Sequence, residues 1–338
     1  MKVALAGQPN CGKSTLFNQI AGYKAISSNF PGTTITFNAT QIQINGHTIT
    51  CLDLPGTYSI TSSEPVEVEA RRHLLSGDVD ILINVVDASL LGRSLELTLE
   101  LLELEIPMIL CLNMMDEAQR KGIQLDPAKL SDLLGIPVVP TIATIGKGVK
   151  ELFNELFRVA EKKPQRKIPK FSKDIEETIA ILAGRLESDW PIEEKLPSRF
   201  LAIRLLENEE IFIDKVKAKG DLFFLIRTLQ EKLEKAHGVP SDQVISSERH
   251  ALAMNLFEKV ATVTRLPRKD IRWIIDGWVL HGFFGYLILA AVFYGFFNFI
   301  FGIGGIIEGG LIGWAGQITE SLAEKWNPES LAFFLVKG

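Results

Sequence analysis

The residues with the plainest chemical potential stand at the amino end, where Gly7-Gln8-Pro9-Asn10-Cys11-Gly12-Lys13-Ser14-Thr15 follows the apolar run Val3-Ala4-Leu5-Ala6. Glycines at 7 and 12 let a backbone close around an anion, Lys13 supplies a mobile positive charge, and the Ser14 hydroxyl can ligate magnesium. A strand feeding such a turn, and then a helix start at Thr15-Leu16-Phe17, points several N–H groups into one concavity, where the helix dipole also favours negative charge. The chemistry implied is the binding of a di- or triphosphate.

Further segments follow in a consistent order. Asp53-Leu54-Pro55-Gly56 closes the alternating run Thr48-Ile49-Thr50-Cys51-Leu52. This places at a strand end a carboxylate able to hold magnesium through water, and beside it the Gly56 N–H, able to meet a terminal phosphate. The short apolar runs 81–87 and 106–112 read as buried parallel strands. The second delivers Asn113-Met114-Met115-Asp116. An aspartate there can accept from both N1–H and the 2-amino group of guanine, a donor pair that adenine lacks, so the chain reads as a guanine-nucleotide rather than an adenine-nucleotide binder. A fifth strand, 136–142, releases Ala143-Thr144-Ile145, whose backbone can reach the guanine carbonyl.

At 338 residues the chain has room for two or three domains, and its net charge of −5 gives no reason to expect nucleic acid as a partner. Its three cysteines, Cys11, Cys51 and Cys111, have no metal-like spacing and read as reduced thiols. No signal peptide is expected, because residue 1 leads directly into the first apolar run. After the basic, proline-containing connector 162–169 the pattern turns helical, with Ile175, Ile179, Leu182 and Leu186, and then Phe200, Ile203 and Leu206, at helical spacing and almost no strand signal up to residue 270.

The last region changes solvent. No Asp, Glu, Lys or Arg occurs between Gly277 and Ile307, which predicts a transmembrane helix over about 280–303. Arg265, Arg268, Lys269 and Arg272 precede it, so its amino-terminal side is expected to be cytoplasmic. Ile307, Leu311, Trp314, Ile318 and Leu322 then form a stripe suited to a helix lying in the interface. Gly302, Gly305, Gly309 and Gly313 suit either close helix packing or irregular backbone. His281 and Glu308 bracket the span and read as interfacial residues, while His47, His73, His237 and His250 converge on no metal pattern. The apolar run 331–336 starts a further segment too short to cross, and the chain is expected to be the amino-terminal part of a larger membrane protein.

Gly32-Thr33-Thr34, Asp53-Leu54-Pro55-Gly56-Thr57-Tyr58-Ser59 and Asn84-Val85-Val86-Asp87-Ala88, read together with the membrane segment, resemble the bacterial ferrous iron transport protein B family, within the broad Ras-like class of GTPases. The resemblance implies an α/β Ras-like P-loop GTPase domain over 1–163, with a mixed, mostly parallel sheet flanked by helices. An all-helical coupling domain over 164–270 and the start of a membrane domain over 271–338 would follow. It implies GTP and GDP with magnesium as cofactors. Gly7, Asn10, Cys11, Gly12, Lys13, Ser14, Thr15, Thr33, Asp53, Gly56, Asn113, Met114, Asp116, Ala143, Thr144 and Ile145 would surround the nucleotide. Ser14, Asp53 and the switch residue Thr34 would hold magnesium, with Thr34, Gly56 and Thr57 at the reacting phosphate.

Three positions depart from the usual pattern: Met114 stands where many relatives carry lysine, Ala143 where serine is common, and Thr57 where Ras-type enzymes place a water-orienting glutamine. Thr57 is too short for that role, so slow turnover is expected. Asn10 resembles the asparagine that holds a potassium ion in potassium-activated GTPases; that reading and a plain loop-filling role stay open together. Lipid bilayer, further permease segments and small Feo accessory proteins are the implied partners, with a homo-oligomer left open and the bacterial inner membrane as location. Two functions follow from the same core: a nucleotide cycle that gates or energises ferrous iron uptake, or a membrane-tethered regulatory GTPase that signals to a separate partner.

Overall fold

The computed structural model describes residues 1–22, 25–26, 38–44, 46–60, 65–162, 164–190, 196–264, 275 and 277–325. Thr33, Thr34, the basic residues 265–272 and the apolar run 331–336 lie outside the described residues. So does the connector residue Lys163.

A seven-stranded sheet organises the amino-terminal half. Strands β1 (Lys2–Gly7), β2 (Ala25–Ile26), β3 (Asn38–Ile44), β4 (His47–Asp53), β5 (Ile81–Asp87), β6 (Met108–Asn113) and, after the short β7 (Ile123–Leu125), β8 (Val138–Pro140) are arranged in the order β2-β3-β4-β1-β5-β6-β8. From β4 to β8 the neighbours are parallel, while β2 and β3 form an antiparallel edge. Because the chain moves to one side of β1 to place β4 and to the other to place β5, the strand order reverses around β1. In open parallel sheets ligands bind at such a reversal, beyond the carboxyl ends of the strands.

The two-residue period of the strands divides the core. Val3, Leu5, Ile83, Val85 and Ile109 face helices α1 (Lys13–Ala21) and α6 (Val149–Glu161), meeting Leu16, Phe17, Leu152 and Leu156. Ala4, Ala6, Leu82, Val86, Leu110 and Leu112 face the other way, into a cluster that includes α2 (Pro65–Leu75) and α3 (Leu91–Glu103). Helices α4 (Met115–Arg120) and α5 (Pro127–Leu134) also belong to this half. Asp126 caps α5 by accepting from Lys129 N at 2.9 Å, and Pro127 opens its first turn.

Helices α7 (Lys173–Asp189), α8 (Ser198–Leu206), α9 (Glu210–Val216), α10 (Gly220–His237) and α11 (Ser241–Val260) make the expected helical region. They share the second core cluster with α3 and belong with the sheet to one compact unit ending at residue 266. This explains why α3 is buried on nearly every side, Glu100 and Glu103 included: it has the sheet on one face and α11 on another. At Gly92 the two helices approach closely, since a Cβ there would stand 2.9 Å from Met254 Sδ.

One element was not legible in the helical pattern. Strand β9 (Ala261–Val263) follows α11 without a break and pairs antiparallel with β7, so the helical region ends by returning to the nucleotide half. Three residues directly continuing a helix carry too little period-two signal to stand out.

Residues 267–338 form a second unit. Its helix α12 (Phe284–Lys325) is a single helix, and the stretch Phe284–Ile318 is long and apolar enough to cross a membrane. No break occurs near residue 303, where the sequence reading separates a span from an interfacial helix. The stripe at 307–318 instead continues the same helix, and the glycines at 302, 305, 309 and 313 are helical rather than irregular. His281 Nδ1 lies 3.2 and 3.3 Å from the Phe283 and Phe284 N–H groups, so this histidine caps the start of α12.

Candidate guanine-nucleotide site

The phosphate loop follows β1, and its backbone is shaped for an anion. Asn10 and Gly12 both take left-handed φ angles, 64° and 84°, which turn successive N–H groups to the same side. Asparagine is among the few non-glycine residues that adopt this region readily, so Asn10 has a backbone reason to be where it is, beside any side-chain role. At Gly12 a Cβ would fall 2.2 Å from Asn113 Nδ2. Among the described residues no side chain caps α1, and its first turn holds no acidic residue, which leaves the leading N–H groups and the positive end of the dipole suited to an anionic ligand.

Lys13 and Asp53 are 8 % and 6 % exposed and form a close ion pair through Nζ and Oδ1. Asp53 Oδ2 also accepts from the Ser14 hydroxyl at 3.1 Å. Two hard oxygen donors, a hydroxyl and a carboxylate, therefore sit side by side at the start of α1, and this set suits magnesium better than a softer metal. Gly7 closes β1, and Thr57 N–H donates to its carbonyl at 3.1 Å. Gly56 is held so close to the phosphate loop that a Cβ would come within 3.1 Å of Pro9 backbone atoms. The Thr57 side chain is buried and donates to Ser59 O at 2.5 Å, which occupies its hydroxyl within its own loop.

The far side of the site is a cavity of about 370 Å³ at the ends of β5 and β6, in the range typical of small-molecule sites. Gly12, Thr15, Asn113, Met114, Asp116, Ala143 and Thr144 line it. Asp116, in the first turn of α4, is exposed, and its carboxylate has no protein partner among the described residues. Ile145 is 71 % exposed and is not part of the wall.

Asn113 is buried and acts as a tie between loops. Its Nδ2 donates to Cys11 O at 2.9 Å, and its Oδ1 accepts from Ala143 N at 2.9 Å and Thr141 Oγ1 at 3.2 Å. Cys11 is buried, and burial pushes its thiol up to about 11; Cys51 and Cys111 are likewise pushed up to about 12. All three cysteines are free thiols held protonated at neutral pH.

Models of two parts of one family match the chain: the ferrous iron transport protein B model over residues 1–156 and the FeoB cytosolic helical domain model over 171–262. The cytosolic domain of the T. maritima FeoB iron transporter in its GMPPNP form is 31 % identical, with a TM-score of 0.64, and the match covers 78 % of this chain and 99 % of that one. The chain belongs to the ferrous iron transport protein B family.

A second solved FeoB structure, NFeoB from S. thermophilus bound to GDP, AlF4⁻ and K⁺, is 30 % identical with a TM-score of 0.66, over 76 % of this chain and 99 % of that one. Among curated FeoB proteins, the Fe(2+) transport protein A/Fe(2+) transporter FeoB fusion protein of Porphyromonas gingivalis is 31 % identical over 338 residues, 95 % of this chain. The chain spans about 40 % of that relative's length.

Several walls of this cavity escape a reading by motif. Asp87 ends β5 and accepts from Ser89 N at 2.7 Å, while Lys121 Nζ donates to Ser89 Oγ at 2.9 Å. Glu117 and Arg120 form a close ion pair on the same wall. Asp87 had a usable signal, a carboxylate at the carboxyl end of a central strand. Lys121 and Arg120 had none, because a short polar helix shows only a solvated face until its position beside the cavity is known.

Proposed function

We propose that the chain binds GTP and GDP with magnesium, hydrolyses GTP slowly, and is the cytosolic nucleotide-cycling part, with the first membrane segment, of a ferrous iron transporter. The observation that carries the nucleotide reading is the Asp116 carboxylate, unpartnered among the described residues, on the wall of a cavity that shares Gly12 and Thr15 with the phosphate loop. From there it can take both donors of a guanine while Ala143 and Thr144, which also line the cavity, supply backbone. Hydrogen bonds to a charged acceptor are worth about 1.5–3 kcal/mol each, so two select guanine over adenine by roughly 10²–10⁴.

In this reading Lys13 exchanges Asp53 for the outer phosphates, and the N–H groups at the start of α1 hold the inner ones. Ser14 and Asp53, with Thr34, would hold magnesium, which supplies charge neutralisation across the outer phosphates. The Gly56 N–H meets the terminal phosphate, and the hydrolytic water is placed by backbone, since the Thr57 hydroxyl is engaged with Ser59. Asn10, exposed in the same loop, is the side chain suited to a potassium ion there; a K⁺ complex of a related NFeoB supports this assignment.

Release of the switch after hydrolysis gates or energises the passage of iron through membrane segments, to which α12 would contribute. The fusion of an Fe(2+) transport protein A to FeoB in P. gingivalis supports a small accessory protein as partner. The reading places the protein in the bacterial inner membrane with its sheet and helical region in the cytoplasm. Ferrous iron accumulation by cells carrying the complete locus, wild type or Lys13→Ala, tests it. Loss of uptake in the variant is expected; unchanged uptake would instead favour a tethered signalling GTPase.

A further inference from the structure

Glu100 is a buried carboxylate in the middle of α3, outside the nucleotide cavity, and it grips the loop that follows Gly56. Its two oxygens each lie 2.9 Å from Ser59 Oγ, and Oε2 accepts from Ile60 N–H at 2.7 Å. Arg71 Nη1 of α2 donates to Ile60 O at 3.3 Å and holds the same residue from the other side. Thr57, whose hydroxyl donates to Ser59 O, is thereby fixed to the same point.

Behind Glu100 stand two guanidiniums of the helical region. Arg249 Nη1 of α11 is 3.2 Å from Glu100 Oε1, and the fully buried Arg204 of α8 is 3.9 Å from Oε2. These arginines are themselves oriented by Glu207, at 2.7 Å from Arg249 Nη2 and 2.8 Å from Arg204 Nη1, and by Glu209, at 3.1 Å from Arg204 Nη1. A buried carboxylate is tolerable only when paired and hydrogen-bonded, and Glu100 meets that demand by spanning the hydrolysis loop and the helical region at once.

We propose that Glu100 is a positioning residue for GTP hydrolysis: backed by Arg249 and Arg204, it fixes Ser59 and Ile60, and through them the approach of Gly56 and Thr57 to the terminal phosphate. The proposal rests on the phosphate-facing role of Gly56 given above. Glu100 does not line the nucleotide cavity; it acts through the loop. A packing role alone makes a different forecast, because Ser59 and Arg249 touch Glu100 on opposite sides and changes to them would then add independently.

The test uses the full chain in lipid nanodiscs, measuring GTP turnover and its KM for wild type, Ser59→Ala, Arg249→Lys, their combination, and Glu100→Gln, with guanidinium unfolding alongside. Each single variant is expected to lower kcat by about fivefold or more with KM for GTP changed less than about twofold, as loss of one charge-assisted hydrogen bond allows. The Ser59→Ala/Arg249→Lys combination is expected to fall no further than the worse single variant. Should Glu100→Gln fail to fold, the Ser59 and Arg249 cycle still decides. Active wild type with unchanged kcat in the single variants, or losses that multiply in the combination, would overturn the proposal. A wild-type chain that turns over no GTP would instead fail the GTPase reading, and this inference with it.

Discussion

The side chain of Asn113 donates to the carbonyl of Cys11 across 2.9 Å, although 102 residues separate the two in sequence. The same amide accepts from Ala143 N, so one buried side chain joins the phosphate loop, the end of β6 and the loop that faces the base. Its contribution is to geometry: the phosphate cradle and the base wall are held at a fixed separation before any ligand arrives.

Asn113→Ala should therefore damage both stability and binding. The buried Cys11 carbonyl and Ala143 N–H lose their partner together, which costs about 2–3 kcal/mol. We expect the urea midpoint to fall accordingly and GDP affinity, followed by fluorescent-nucleotide titration, to weaken by roughly tenfold or more. A variant as stable as wild type with unchanged affinity would show that the tie is dispensable.

Much of this site can be read in the chain because the chemistry forces short local patterns. A phosphate loop needs glycines within a few residues of a lysine, and a buried parallel strand needs an unbroken apolar run, so β1, β5, β6 and the loops after them announce themselves. What could not be read depends on contacts made across long sequence distances. Glu100 looks like any charged residue on a leucine-rich helix, and only the packing of α11 on α3 shows that it is buried. Arg204 sits inside an apolar stretch of α8 yet is fully buried, for the same reason. The continuous α12 differs from the expected span plus interfacial helix because glycines that invite a break in water are held helical within a long apolar sequence.

The charge cluster behind Glu100 makes stability depend on pH. Burial pushes the Glu209 carboxyl up to about 7, although Arg204 pulls it the other way. The folded protein then keeps a proton that the unfolded chain gives up near the usual 4.5. Stability from this group is complete below that value and is lost as pH rises through about 7. Glu209→Gln keeps an acceptor for Arg204 without the titration. Its unfolding midpoint should gain on wild type between pH 5 and pH 7.5, by denaturant titration at each pH; parallel curves would place the Glu209 titration elsewhere.

Asn10 allows a test of the monovalent ion. If its side-chain oxygen holds potassium beside the transferring phosphate, GTP turnover by the chain should be several-fold faster in potassium chloride than in sodium chloride at equal ionic strength. Asn10→Gly tolerates the left-handed backbone at this position and removes only the side chain, so it should abolish the difference. Equal wild-type rates in both salts would leave Asn10 with its backbone role alone.

The most direct test of the whole account is isothermal calorimetry of the full chain with GDP and with ADP in the presence of magnesium. Two hydrogen bonds to the Asp116 carboxylate predict a preference for GDP of roughly 100-fold or more, and Asp116→Asn should abolish it and favour xanthosine diphosphate, whose donor and acceptor are exchanged to match. GDP and ADP binding with equal affinity to the unmodified chain would contradict the guanine site, and with it the nucleotide cycle built on it.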